Sequence, residues 1–420
     1  MVPGGSIEDH LDAARRSRES GRISDARAHF EAVLALDPIH PMARNFLGLD
    51  ALANGNPRAG ADHLEQACRG DPNAPELWLN LARAHAELEE IEAARGALEQ
   101  ALLLDQRFLP ALISLAQLHE ELGEKKLAGE RWSAVLALTT SIEQPGPELA
   151  QHISHASAYI QEERAQLGKA LDRALEADLA KATGGESRRV RAAVDTMLGR
   201  RSIYVNECHG LHYPFLPADE FFGREHFTWL DKVEAATGEV RSELMSILAG
   251  SDPGLEPYVE QPSGVPENKW SQLDRSLDWG ALHLWRDGER MVEACSRAPA
   301  TAALVESLPL CRIPGRAPAV FFSILKAGKS IPPHTGVTNV RSIVHLPLIV
   351  PEGCTFRVGG ATRHWVEGEA LVFDDTIEHE AANPTSKDRA LLIFDCWNPY
   401  LSNAERQMIC RMYEVTGGRG

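Results

Sequence analysis

The seven cysteines of this 420-residue chain are an odd number, scattered, and never spaced as C-x-x-C. That argues against a disulfide framework and against a structural zinc site. The segment CHGLH, Cys208 to His212, lacks partners at zinc-finger spacing and reads as incidental. No run approaches the roughly 18 apolar residues that a membrane helix needs. The longest, IVHLPLIV, is strand-sized and holds a His and a Pro. The first twenty residues contain no apolar signal-peptide core. Basic residues are the minority charge: 43 Lys and Arg against 60 Asp and Glu leave a net charge of −17. A nucleic-acid partner held through phosphates is therefore not expected. These absences together predict a cytoplasmic protein with no membrane insertion.

The length exceeds one ordinary core, so two or three domains are expected. The front third repeats. Asp37, Asp71 and Asp105 are spaced by 34, as are Leu47, Leu81 and Leu115. Small residues follow the same period at Ala14, Gly48, Ala82 and Ala116, and again at Ala26, Gly60, Ala94 and Ala128. A large apolar series, Phe30, Leu64, Leu98 and Trp132, lies four residues after the second small one. Small positions let paired helices approach, and large ones fill the groove between pairs. This pattern resembles the tetratricopeptide repeat, with about four repeats inside residues 1–142. Such an array serves either as a scaffold or as a concave surface that grips a polypeptide. A Pro/Gly break at 139–148 closes it, and residues 143–200 read as a helical connector interrupted at GGES, 184–187.

From about residue 201 the composition turns to Pro, Gly, Trp and Phe, with short strand-like runs: PAVFFSIL, RSIVHLPLIV, CTFRVGG, EALVFDD and RALLIFDCW. Many short strands at even spacing imply a sandwich or barrel over 201–420. In RSIVH, alternation places Arg341, Ile343 and His345 on one face and apolar neighbours on the other. A face with Arg and His either meets water or lines an anion pocket, and the apolar opposite face favours the pocket. His379 follows His334 by 45 residues, and Arg389 follows His379 by ten. Imidazoles suit ferrous iron, and a buried guanidinium suits a dicarboxylate. The order of these residues points to a 2-oxoglutarate-dependent oxygenase on a double-stranded β-helix, a jelly-roll or cupin-like fold. One feature departs from the usual iron site. A carboxylate commonly stands two residues after the first histidine, whereas this chain reads His334-Thr335-Gly336.

The segments SILKAGKSIPPHTGVTNVRSIVHLPLIVPEGCTFRVGG, WVEGEALVFDDTIEHEAAN and DRALLIFDCWNP resemble the catalytic domain of the aspartyl/asparaginyl β-hydroxylase family. The resemblance covers about residues 200–400, and several members of that family also carry tetratricopeptide repeats ahead of it. It implies iron ligands at His334 and His379 and 2-oxoglutarate contacts at Ser323, Arg341, His345 and Arg389. It also implies a glycine at position 336 with water in the third position, so that no ligand is missing. Asp375 would then orient a ligand histidine rather than bind metal. Of the extra cysteines of vertebrate members only Cys295 has a match.

The implied reaction uses Fe(II), 2-oxoglutarate and O2 to hydroxylate the β-carbon of Asp or Asn in a peptide or protein. Trp285, Arg363 and His364 are candidates for holding that substrate. Three alternatives stay open: a lipid or small-molecule substrate, halogenation, and an inactive domain that only binds peptide.

Overall fold

A computed structural model describes residues 5–416. The chain divides between Ala180 and Lys181 into two compact units.

The first unit is helical. Its helices are α1 (Ile7–Glu19), α2 (Ile23–Leu36), α3 (Pro41–Ala53), α4 (Pro57–Gly70), α5 (Pro75–Glu87), α6 (Ile91–Leu104), α7 (Leu109–Glu121), α8 (Lys125–Thr139) and α9 (Pro147–Leu179). α1 to α8 form four successive antiparallel pairs, one per 34-residue period. Both series of small residues are buried, and so is the large apolar series. The second pair shows why small residues are needed. A Cβ on Gly48 would lie 2.6 Å from Leu64 Cγ, and one on Gly60 would lie 2.6 Å from Leu52 Cδ2. The two helices touch backbone to side chain at these points.

The last pair is closed by α9. Trp132 on α8 is fully buried against Leu112, Ala116, Val135 and Ala156, with His155 edge-on at 5.1 Å. Truncating Trp132 to alanine is expected to destabilise the helical unit by about 3–5 kcal/mol. Urea unfolding followed by far-ultraviolet circular dichroism would show it as an earlier helical transition; an unmoved transition would contradict this packing.

The break after α9 falls at residues 180–183 rather than at GGES. GGES is instead the first turn of α10 (Gly184–Met197). Thr183 and Glu186 form a reciprocal capping box there, which overrides the two glycines.

The second unit is built on strands β1 (Glu256–Pro257), β2 (Trp279–Arg286), β3 (Glu289–Arg290), β4 (Val320–Leu325), β5 (Lys329–His334), β6 (Arg341–Ile349), β7 (Thr355–Val358), β8 (Ala361–Arg363), β9 (Leu371–Phe373), β10 (His379–Asn383) and β11 (Arg389–Trp397). A seven-stranded sheet runs β1-β2-β4-β11-β6-β9, with β3 on β2, and a four-stranded sheet runs β5-β10-β7-β8. Every pairing between these strands is antiparallel. The larger sheet is buried on both faces. Leu282, Phe322, Val344 and Leu392 meet the helices Thr237–Leu248 and Pro299–Glu306. Alternate residues of the same strands, Ala281, Phe321, Leu391 and Ile393, meet Ile331, Phe356 and Ala381 of the smaller sheet. The two sheets thus face each other across a second core. All of the strand-like runs read from the sequence are strands here.

Candidate active site

His334 ends β5 and His379 begins β10, and the two are directly opposed in the register of that pair. Their rings lie 4.0 Å apart between centroids. His334 Nδ1–H donates to Pro332 O at 2.8 Å, and His379 Nδ1–H donates to Ile377 O at 3.0 Å. Each ring is therefore fixed in the tautomer that leaves Nε2 with a free lone pair. Burial holds His379 down at about 3, and it lowers His334 as well. Neither ring has a proton to lose before meeting a cation at neutral pH. Trp270 stands edge-on to His334 at 5.0 Å, and Lys269 Nζ donates to Pro333 O on the same strand at 2.7 Å.

Gly336 faces the one carboxylate close by. Its N–H donates to Asp375 O at 2.6 Å, and a Cβ at position 336 would collide with the Asp375 side chain. The carboxyl of Asp375 occupies the space that a side chain at 336 would need. It is 8% exposed, burial pushes it up to about 7, and its Oδ1 has no partner. Among the described residues no group of three His, Cys, Asp or Glu side chains is arranged to hold a metal ion, so the two imidazoles stand as a pair.

A segment that the sequence gave no reason to place here backs both turns. Asn206 Nδ2 donates to Asp374 Oδ2 at 2.7 Å and to Thr376 Oγ1 at 2.9 Å. The N–H groups of Glu207, His209 and Gly210 donate to the carbonyls of Thr376, Gly336 and Val337. Tyr213 and Asn339 exchange two further bonds. Cys208 and His212 lie 3.6 Å apart on this strap, outside any ligand group.

The histidines open on a cavity of about 440 Å3 between the sheets, lined by Ser323, His334, Arg341, His345, Asp375, His379 and Arg389 with an aromatic wall of Tyr258, Trp270 and Trp279. All six residues expected at the site therefore line one cavity. Arg389 is 2% exposed. Its Nη1 and Trp279 Nε1 both donate to Ser323 Oγ, at 3.4 and 3.1 Å, and Trp365 lies under the guanidinium at 5.1 Å. Among the described residues no carboxylate pairs with it. Burial lowers Arg389 to about 10, so it stays charged at neutral pH. His345 is buried beside it, and that burial and the nearby cation press it well below the usual histidine range.

Arg341 is differently placed. Its Nη1 donates to Asp395 Oδ2 at 2.8 Å, and Asp395 lies six residues beyond Arg389, or about 20 Å along β11. The inward faces of β6 and β11 are as strand alternation requires, and Asp395 in RALLIFDCW, the partner of Arg341, stands on the same face of β11 as Arg389.

The three substrate candidates do not line the cavity. Trp285 belongs to the opposite core, because an irregularity between His283 and Trp285 turns β2 over. Arg363 lies over Phe221 at 4.1 Å, and His364 donates to Cys354 O. All seven cysteines are free, and Cys295 Sγ donates to Leu284 O.

Residues 234–399 match aspartyl/asparaginyl beta-hydroxylase, and residues 11–49 and 47–108 match the tetratricopeptide repeat. A Rhizobium tropici relative, ornithine lipid ester-linked acyl 2-hydroxylase, is 32% identical over 201 residues, which are 47% of this chain and 67% of that protein. The chain belongs to the aspartyl/asparaginyl β-hydroxylase family. Within that family the human aspartyl/asparaginyl beta-hydroxylase is 35% identical over 185 residues, 43% of this chain but only 24% of the human protein. Human aspartate beta-hydroxylase domain-containing protein 2 is 35% identical over 140 residues, 32% of this chain and 37% of that protein. The family match begins at residue 234, downstream of the strap at 206–213. No helix among the described residues is long and apolar enough to cross a membrane.

Proposed function

We propose that the second unit is an Fe(II)- and 2-oxoglutarate-dependent dioxygenase on a double-stranded β-helix, hydroxylating the β-carbon of Asp or Asn in a polypeptide. The observation that carries this reading is Arg389, a fully buried cation with no counterion among the described residues, beside two histidines whose Nε2 atoms are free. A buried unpaired charge is costly, so such a group is retained for an anionic ligand. The donor set fits iron: two neutral imidazoles leave the remaining positions to ligand oxygens. His334 and His379 would hold the metal. Arg389 and Ser323 would hold the far carboxylate of the keto acid, with neutral His345 beside it. Bound there, iron and 2-oxoglutarate supply the oxidation: one oxygen atom of O2 enters the C–H bond, and the other enters succinate as CO2 leaves. The protein's own part is orientation and exclusion of water. The backbone carbonyls of Pro332 and Ile377 fix the imidazoles, and the aromatic wall keeps the cavity apolar. The Asp375 carboxyl fills the space beside Gly336 and bonds neither imidazole, so the rings are oriented by Pro332 O and Ile377 O rather than by Asp375 as expected.

The test is incubation with Fe(II), 2-oxoglutarate and ascorbate, reading succinate release and a one-oxygen mass gain in peptides of the host lysate. No succinate above a metal-free control would defeat the reading. The name of the Rhizobium tropici relative favours a second reading, oxidation of a lipid acyl chain, and lipid extracts belong in the same assay.

Tetratricopeptide repeats are generally protein-interaction modules, and the array at the front of this chain is assigned to a polypeptide partner. If that partner is the substrate, deleting the array should lower activity on a long polypeptide more than on a short peptide. Equal losses on both would favour a scaffold.

A further inference from the structure

Away from the cavity, an open groove of about 650 Å3 lies between residues 308–312 and the helix Asn403–Thr416, with Trp397 of β11 in its lining. The two walls are tied together: Cys410 Sγ on the helix donates to Arg312 O at 3.2 Å. Leu310 also bridges to Cys396 of β11. The groove is therefore set before a ligand arrives. Trp397 is the register partner of Arg341, so groove and cavity share the end of the β6–β11 pair.

The charges of the groove are unbalanced. Arg312 comes from one wall, and Arg406 and Arg411 come from the other. Among the described residues no carboxylate lies within ion-pair distance of any of the three, and Glu414 is the one acid of the lining. Arg406 Nε is buried without a partner. Its Nη1 reaches Asn403 Oδ1 at 3.5 Å, and its guanidinium lies over Trp397 at 5.9 Å. Other grooves of this unit differ, since Arg188 is held by Asp219, Arg201 by Glu220 and Arg286 by Glu256. Three cations facing one groove repel one another, and an anion lying between them removes that cost.

The spacing identifies the kind of anion. Arg406 and Arg411 are five residues apart, a rise of about 7.5 Å along the helix. Inorganic phosphate carries its oxygens on one atom and engages one such position. In an extended chain, side chains two positions apart leave the same face about 6.6–6.8 Å from each other. Acidic residues at alternate positions therefore meet successive guanidiniums, each in a charge-assisted pair. Leu310 and Trp397 give their aliphatic stems an apolar surface.

We propose that the groove between residues 308–312 and the helix Asn403–Thr416 binds an extended, acidic polypeptide segment with carboxylates at alternate positions, held by Arg312, Arg406 and Arg411. This site is separate from the cavity, and its test needs no turnover, so it stands or falls apart from the oxygenase reading.

The experiment measures fluorescence anisotropy of a labelled peptide of alternating Glu and Ala against the full-length protein at low salt. The same peptide with Gln in place of Glu is the control. The Glu peptide should bind roughly tenfold or more tightly than the Gln peptide. The double variant Arg312→Gln, Arg411→Gln should weaken the Glu peptide by roughly tenfold or more. Both side chains are exposed, so the variant should keep its fold, which far-ultraviolet circular dichroism checks. Excess inorganic phosphate should displace the peptide poorly compared with unlabelled Glu peptide. Equal binding of the two peptides, binding of neither, or an unmoved affinity in the folded double variant would overturn the assignment. Displacement by phosphate as effective as by unlabelled peptide would overturn it in favour of a small-anion site.

Discussion

His379→Ala is expected to abolish both metal retention and turnover, and His334→Ala to do the same. The two rings are directly opposed across the β5–β10 pair, and each has its other nitrogen committed to a backbone carbonyl. Neither is replaceable from nearby, since no third His, Cys, Asp or Glu among the described residues joins them in a metal-holding group. Losing one leaves a single imidazole, and a lone neutral donor holds Fe(II) poorly. Asp375→Asn is the contrasting variant. Its carboxyl fills the space at Gly336 without joining the pair, so that variant should keep its metal and part of its activity. Equilibrium dialysis against Fe(II) or Mn(II) separates the cases. Metal kept by His379→Ala and lost by Asp375→Asn would reverse the assignment of the ligands.

Arg389→Ala should separate binding from folding. In the ligand-free protein the guanidinium has only Ser323 Oγ at 3.4 Å and the Trp365 face as partners. Removing it relieves a buried unpaired charge, which offsets the void it leaves, so the melting temperature without ligand should change little. Removing a charge-assisted contact to a dicarboxylate costs about 2–5 kcal/mol, or roughly thirtyfold to several thousandfold in 2-oxoglutarate requirement. The unaltered protein should be stabilised by added 2-oxoglutarate in the presence of Mn(II), and the variant should not. Equal stabilisation of both would show that the ligand is held elsewhere.

The helical array was legible because its period is long and its contacts are local. Gly48 and Gly60 sit where a Cβ cannot, and Trp132 fills the final groove, so each leaves a sign at a fixed spacing. The strands were legible for a similar reason: two-residue alternation put Arg341 and His345 on the cavity face and Val344 and Leu346 in the opposite core. Other features had no such sign. Trp285 changes faces at an irregularity in β2, and alternation cannot foresee that. The aromatic wall of Tyr258 and Trp270 comes from irregular chain. Asn206 meets Asp374 across 168 positions of sequence, and no local pattern encodes a contact of that range.

That contact bears on where a fragment that keeps the cavity intact must begin. A fragment cut at residue 234, where the family match starts, would carry every histidine and arginine of the cavity. It would nevertheless leave the carbonyls of Gly336, Val337 and Thr376 and the carboxylate of Asp374 without the donors that now hold them. The turns that carry Gly336 and Asp375 would then be free to part, and the two imidazoles would lose the frame on either side of them. The smallest fragment that keeps these bonds therefore starts upstream of residue 206.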